Sequence, residues 1–141
     1  MVHLQLISLS GTKFDDDVYE VLVPTADGQI GVLTGHMPLI SVAKNGVISI
    51  RRDEHDIDEA MEHFAISGGV VDVVNNRLRI LVDEADHAEQ INREEAQAAY
   101  ERALKLKAEA KDEISLEQAQ ELVDRTAVRL QVAGLKRRRK S

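Results

Sequence analysis

Near Asp86 the chain exchanges one hydrophobic period for another. Up to about Val82 the apolar residues recur at every second position, whereas beyond Asp86 there is no proline, glycine occurs only at Gly134, and Ala, Glu, Lys, Gln, Arg and Leu dominate. Period two lines apolar side chains along one face of a strand, and the second composition is that of good helix formers. The pattern predicts an α+β protein in two parts: an N-terminal all-β sandwich or barrel of about 8 to 10 short antiparallel strands over residues 1–86, then a C-terminal antiparallel two-helix hairpin over residues 87–141.

Ile48 and Ile50 alternate with Val47, Ser49 and Arg51, and Leu78, Ile80 and Val82 alternate with Arg77, Arg79, Leu81 and Asp83, as half-buried strands do. Val71 and Val73 form a further pair. The Asn75-Asn76 dipeptide after it fits a two-residue hairpin turn, because Asn tolerates the positive φ such a turn needs. Further strands are expected over residues 3–9, 19–24, 29–33, 39–43 and 62–67, separated by Gly, Asp, Asn or Pro.

In the second part, Asn92 followed by Glu95 reads as a capping box that starts a helix near Arg93, and Ser115 followed by Gln118 reads as a second. The helices are expected over about 92–111 and 115–136, with the break around Asp112-Glu113-Ile114 and a basic tail over 136–141. Each carries an apolar stripe spaced 3 then 4: Ala96, Ala99, Ala103, Leu106 and Ala110 in the first, Leu116, Ala119, Val123, Thr126, Leu130 and Ala133 in the second. Alanines permit close approach but bury little, each contributing well under the roughly 1.5–3 kcal/mol of a buried leucine. A hairpin of this kind is marginal alone, so it is expected to pack on another surface and to exchange one surface for another at small cost.

Charge is as unevenly distributed as period. Residues 1–90 hold 16 acids against 6 bases, a net of -10, and residues 91–141 hold 9 acids against 12 bases, a net of +3. After Asp124 there is no acid, while Arg125, Arg129, Lys136, Arg137, Arg138, Arg139 and Lys140 are all basic, which suits this end to an acidic surface. No stretch approaches the roughly 20 apolar residues of a membrane span, and Met1-Val2-His3-Leu4 lacks the marks of a signal peptide, so a cytosolic chain is expected unless a partner holds it at a membrane. Without cysteine, and with His3, His36, His55, His63 and His87 dispersed, no metal or other cofactor is expected.

The sequence has no phosphate-binding loop, no nucleophile elbow and no H-E-x-x-H helix. Asp15-Asp16-Asp17 reads as a solvated turn and Asp53-Glu54-His55-Asp56 as an exposed loop tip. His36, beside Met37-Pro38-Leu39, is a general base only by residue type, and a contact or structural role fits it better. The K-R-R-R-K run at Lys136 to Lys140 suits nucleic-acid phosphates by charge, but the chain is acidic overall and its 3% aromatic content offers no stacking platform. An acidic protein surface or anionic lipid matches it better.

The stretch Gly28-Gln29-Ile30-Gly31-Val32-Leu33-Thr34-Gly35-His36-Met37-Pro38-Leu39 resembles the G-x-x-G-x-L-x-x-H-x-P-L signature of ATP synthase epsilon subunits at each defined position. Gly46-Val47-Ile48-Ser49-Ile50 and Ser67-Gly68-Gly69-Val70-Val71-Asp72-Val73 follow in the order that family shows, so the resemblance covers essentially the whole chain. It implies a non-catalytic central-stalk subunit of the proton-translocating F-type enzyme, monomeric when isolated, with a flattened β-sandwich bound to the gamma subunit. The loop carrying Gly28, Gln29, Ile30, Gly31, His36, Met37 and Pro38 would face gamma and the c-ring. It further implies a hairpin that lies folded on the sandwich or extends into the alpha and beta catalytic head and blocks ATP hydrolysis. Arg125, Arg129, Lys136, Arg137, Arg138, Arg139 and Lys140 would make the inhibitory contacts. Its place would be the cytoplasmic face of the bacterial cell membrane, or a thylakoid membrane, reached only through the complex.

Some members of that family bind ATP through [I/L]-D-x-x-R-A at the start of the first C-terminal helix. Here the positions read Ile91-Asn92-Arg93-Glu94-Glu95-Ala96, with Asn92 for the acid and Glu95 for the arginine, so the phosphate-binding charge is reversed and no ATP binding is expected. The reading from another class is a free-standing acidic β-domain protein whose basic tail binds nucleic acid or anionic membrane. A third is a small acid-base enzyme using His36.

Overall fold

A computed structural model describes residues 1–135. The basic run Lys136 to Lys140 lies outside the described residues, and the second helix, expected to run to 136, ends at Ala133 with Gly134 as its cap. The alternating segments form eight strands: β1 (Val2–Ser8), β2 (Gly11–Val18), β3 (Glu20–Thr25), β4 (Gly28–Val32), β5 (Leu39–Ala43), β6 (Gly46–Arg51), β7 (Glu62–Val74) and β8 (Arg77–His87). They hydrogen-bond in the order β2-β1-β8-β7-β5-β3-β4, with β6 joining β7 to β3, and the sheet folds over into a sandwich. Neighbours are antiparallel except β1 and β8, which run parallel, His3 opposite Arg77 through Ile7 opposite Leu81.

The fold turns on a corner in the two longest strands. β7 and β8 keep one register from Phe64 opposite His87 to Val74 opposite Arg77. β6 and β5 follow β7 in one line of pairing as well, broken only at Lys44-Asn45. Yet the buried parity reverses along β7: Phe64 and Ile66 face the core before the corner, Val71 and Val73 after it. In β8 the buried set passes from Leu78, Ile80 and Val82 to Ala85. Between the two phases sit Gly68, at φ +29° with its N–H donating to Asn45 Oδ1 at 2.8 Å, and Gly69, where a Cβ would stand 1.9 Å from the Leu81 carbonyl oxygen. Both strands therefore cross from one layer to the other by bending.

Three expectations are corrected here. Residues 62–67 and the Val71, Val73 pair belong to one strand, because the glycines bend it without ending its ladder. Asp15-Asp16-Asp17 lies in β2 and not in a turn; that strand buries only Phe14 and Val18, too sparse a signal to read, and its acids discourage further pairing at a sheet edge. The second helix is capped by Asp112 and not Ser115: Asp112 Oδ1 accepts the Ser115 N–H at 2.7 Å, a bond that also holds its carboxyl below the ordinary range. The Asn75-Asn76 turn is as expected, with φ of 48° and 62°.

The main core is built entirely from the strands, with Leu4, Leu6, Ile48, Ile50, Leu78 and Ile80 fully buried. At its edge Glu62, 7% exposed, pairs with Arg52 and with His87 Nε2 at 3.3 Å, while Arg52 lies 4.9 Å over the Phe14 ring. Beyond the short turn Ala88–Gln90 come α1 (Arg93–Glu109) and α2 (Glu113–Ala133), a hairpin. Its seam holds at Ala96, Ala103, Ala119, Val123, Thr126 and Ala133, which are buried; Leu106 and Leu116 near the turn stay about half exposed, at 52% and 45%.

Gly69→Ala tests the corner. With its Cβ driven into a carbonyl oxygen of the paired strand, the variant is expected to lose at least about 3 kcal/mol in urea unfolding or to fail to fold. A midpoint within experimental error of the parent would show that the corner relaxes freely.

Candidate interaction faces

The corner gives the sandwich two outer faces of different character. One, made by β6, the first half of β7 and the second half of β8, near Phe64 and His87, is covered by α2. The other, made by β5, the second half of β7, the first half of β8 and β1, is bare among the described residues. Across the bare face run three rows of opposed residues. Val42, Val70, Leu81 and Ile7 form an apolar row over four adjacent strands, the first three of them 58%, 44% and 44% exposed. Beside it Ile40, 76% exposed, stands opposite Asp72, which faces Arg79, whose Nε donates to Gln5 Oε1 at 3.4 Å. Val74, Arg77 and His3 make the third row. An apolar strip bordered by charge is the composition of a protein contact surface.

Sequence reasoning missed this row. Val70-Val71 and Leu81-Val82 place apolar residues on both parities of a strand, which is the signal that both faces are covered.

The signature residues do not form one loop. Gly28, Gln29, Ile30 and Gly31 lie in β4, with Ile30 packed on the core and Gln29 exposed, while His36, Met37 and Pro38 lie in the connection to β5 at the other end of that strand, about 13 Å away along it. The second group is tied down. Gly35, at φ +84°, donates its N–H to Asn76 Oδ1 at 2.7 Å, the Asn76 carbonyl accepts from His3 N–H at 2.8 Å, and His36 N–H reaches the Leu33 carbonyl at 3.1 Å. The His36 ring lies against its neighbour's backbone, Nδ1 2.7 Å from the Met37 carbonyl oxygen, and Met37 itself is 77% exposed beside the bare face. These bonds hold the loop in one shape, the His36 ring among them.

On the covered face, Val132 and Ala133 of α2 and Ala96 of α1 pack with Ala65, Ala88 and Ile91 in a second, smaller cluster. Arg125 and Arg129 border it. Arg129 is ion-paired with Asp86, and Arg125 lies 3.8 Å from Glu84 and 3.0 Å from Glu121. The expected head-contacting arginines are therefore engaged with β8 in this folded hairpin. Ser67 Oγ and Arg125 Nε are buried beside these pairs, at a cavity of about 10 Å³. Nearby, His63 bonds Ser49 Oγ through Nδ1 at 2.8 Å; burial, then the neighbouring His87, hold it below the ordinary histidine value.

Residues 91–96, at the place of the nucleotide motif, have structural tasks. Ile91 and Ala96 are buried in the cluster, Asn92 Oδ1 caps α1 by accepting the Glu95 N–H at 3.0 Å, and Glu95 faces solvent.

The family model described as the ATP synthase Delta/Epsilon chain beta-sandwich domain matches residues 1–88. Among curated relatives, the ATP synthase epsilon chain of Gloeobacter violaceus is 33% identical over 133 residues, 94% of this chain and 97% of that one. That of Synechococcus elongatus is 35% identical over 133 residues, 93% of each. The chloroplastic epsilon chain of Psilotum nudum is 35% identical over 103 residues, 73% of this chain and 74% of that one. Among solved structures, a chain of the Euglena gracilis mitochondrial ATP synthase, OSCP/F1/c-ring in rotational state 1, aligns with a TM-score of 0.78 at 23% identity over 94% of this chain and 80% of that one. A chain of the Tetrahymena thermophila mitochondrial ATP synthase central stalk and c-ring aligns at 0.61 and 17%, over 96% of each. At these identities the two structures speak for the fold.

The end of the bare face carries a titratable group with a clear expectation. His3 Nδ1 lies 2.7 Å from Asp17 and Nε2 2.5 Å from Asp15, and only the imidazolium has two N–H groups to satisfy both. Those bonds, to Asp17 and then to Asp15, raise its pKa above 6.5. A raised folded value means that the stabilisation is fully present below about pH 6.5 and disappears as pH climbs through the folded value. In an NMR titration the His3 ring is expected to titrate above 6.5 and to return to the ordinary value in Asp15→Asn/Asp17→Asn; an unchanged midpoint in that variant would remove the assignment.

Proposed function

Because this chain belongs to the ATP synthase epsilon chain family, non-catalytic subunits of the rotary enzyme, we propose that it links the gamma subunit to the c-ring in the central stalk and restrains ATP hydrolysis through its helical hairpin. The observation that carries this reading is the division of the sandwich into a bare apolar face and a face covered by a weakly seated hairpin. A static linker has no need of a loosely held appendage, and a free-standing domain has no need of an exposed apolar row across four strands.

In this reading Val42, Val70 and Leu81, with Ile40 at their border, bind gamma. Gly28, Gln29, Ile30, Gly31, His36, Met37 and Pro38 belong to the contacts with gamma and the c-ring, the tied loop from Leu33 to Pro38 presenting its rigid end. Rigid preorganised loops lose little entropy on binding. The hairpin of α1 and α2 leaves the sandwich and reaches the alpha and beta subunits of the catalytic head, where Arg125 and Arg129, together with Lys136, Arg137, Arg138, Arg139 and Lys140, meet acidic surface and block hydrolysis. The complex holds the subunit at the cytoplasmic side of a bacterial or thylakoid membrane. Cyanobacterial and chloroplast relatives support that setting.

The first test adds the full chain, or a version ending at Gln90, to the cognate catalytic head containing gamma. The full chain is expected to bind and inhibit ATPase activity, the shortened one to bind without inhibiting, since the main core contains no hairpin residue. If neither binds, the proposed partnership is wrong. Val42→Asp/Leu81→Asp should weaken binding at least about tenfold with an unchanged thermal transition, because buried interface anchors each contribute about 1–2 kcal/mol or more. ATP titrated into the isolated chain is expected to give no saturable heat up to millimolar concentration, as Glu95 stands where a phosphate-binding cation is needed; a saturating isotherm would refute this.

A further inference from the structure

We propose that a two-pair ionic clasp between α2 and β8, made by Arg125 with Glu84 and Arg129 with Asp86, holds this hairpin folded without a nucleotide, and that the clasp competes directly with the catalytic head for the same two arginines. The inference rests on the proposed movement of the hairpin and supplies its control.

The geometry is that of a matched pair of rulers. Arg125 and Arg129 are one helical turn apart, about 6 Å along the axis. Glu84 and Asp86 are two strand residues apart on the outer side of β8, about 6.6 Å. Both pairs form together in one register, with Arg129 bonded to Asp86 and Arg125 3.8 Å from Glu84. Sliding α2 by one turn would leave one arginine beyond both acids. The apolar cluster beneath them holds four alanines, Ala65, Ala88, Ala96 and Ala133, with Ile91 and Val132, and the partly buried Val47, Val128 and Leu130 pack against it. Each alanine buries less area than a leucine would, so the pairs decide a larger share of the balance than they would over a leucine core. At the start of α1, Asn92 caps the helix while Arg93 and Glu95 are exposed, and the cations paired with β8 among the described residues come from α2.

Competition follows from the chemistry. A guanidinium bonded to a carboxylate of β8 is not available to a carboxylate elsewhere, so Glu84 and Asp86 imitate, within the chain, the acidic surface that an extended hairpin meets. Removing the acids and removing the arginines must then have opposite effects on inhibition while having the same effect on release.

The experiment uses the full-length chain with a fluorophore pair, one at Asp27 on the sandwich and one at Lys111 at the hairpin turn. Glu84→Gln/Asp86→Asn and Arg125→Gln/Arg129→Gln should each raise the released fraction several-fold, since partly exposed pairs shift an equilibrium by up to about fivefold apiece. The quadruple variant should release no more than either double, the mark of one shared interaction. Release of the parent should rise between about 0.05 and 0.5 M salt, and that of the doubles should not. None of the four residues belongs to the main core, and an unchanged thermal transition of the sandwich confirms folding. In the catalytic head with gamma, the acid variant should inhibit more strongly and the arginine variant less. An unmoved distance in the acid variant, or additive release in the quadruple, overturns the clasp. If the distance opens as expected and ATPase activity is indifferent to both doubles, the clasp stands and the inhibitory role of the hairpin falls.

Discussion

Close contact between Gly69 and the Leu81 carbonyl is the constraint on which the rest of the molecule depends. It allows β7 and β8, the two longest strands, to bend together without losing register, so that one hydrogen-bonded ladder serves two layers. The reversal of buried parity at the same place keeps the core continuous: Phe64 and Ile66 from one side of the bend meet Val71 and Val73 from the other across a single interior. The interruption of the β5–β6 line at Lys44-Asn45 falls opposite the bend, where the Asn45 side chain takes the Gly68 N–H that a regular strand would have bonded through its backbone. A buried donor left there would cost about 1–3 kcal/mol. Side chain and glycine thus solve the corner jointly.

From that bend come two outer faces and a division of labour between them. Past the corner β8 presents Glu84 and Asp86 to a helix; before it, the same strand presents Leu81 and Arg79 outward on the bare face. The main core closes without the hairpin, and the hairpin meets the sandwich through the smaller cluster of Ala65, Ala88, Ile91, Ala96, Val132 and Ala133 and through its ion pairs. In the proposed switch the strands are the firm unit and α1 and α2 the moving one.

Much of this was legible in the sequence, for physical reasons that can be traced residue by residue. Alternation at Ile48 and Ile50, and at Leu78 to Val82, showed strands because one side of each is dry; Asn75-Asn76 showed its turn because few residue types accept that backbone; the stripe from Ala96 to Ala133 showed a helical seam. What escaped is what depends on distant partners. β2 could not be seen because Phe14 and Val18 are its only buried residues and its acids look like loop. The continuity of β7 was hidden by Gly68-Gly69, which read as punctuation. Ser115 read as the cap because Gln118 follows it at capping-box spacing, whereas Asp112, placed in the break, takes that role through its bond to the Ser115 N–H. For the candidate faces, the signature region was singled out by a motif resemblance and the two arginines by charge, but the apolar row from Ile7 to Val42 exists only after four strands from distant parts of the chain are laid side by side.

The parallel pairing of β1 with β8 has a kinetic consequence. Its partners are 74 residues apart, as the Arg79 to Gln5 bond records, so an early segment waits for a late one before it has its inner neighbour. At synthesis rates of about 5–20 residues per second that wait is on the order of 4–15 s. Until β8 arrives, β1 and β2 exist at best as an isolated two-stranded ribbon, which is marginal in water. Non-local pairing of this sort slows folding, whereas α1 and α2 meet through local contacts that form quickly. The sandwich is therefore expected to be the slower part to assemble and the hairpin the faster, so in the proposed switch the part that moves is the part that forms first.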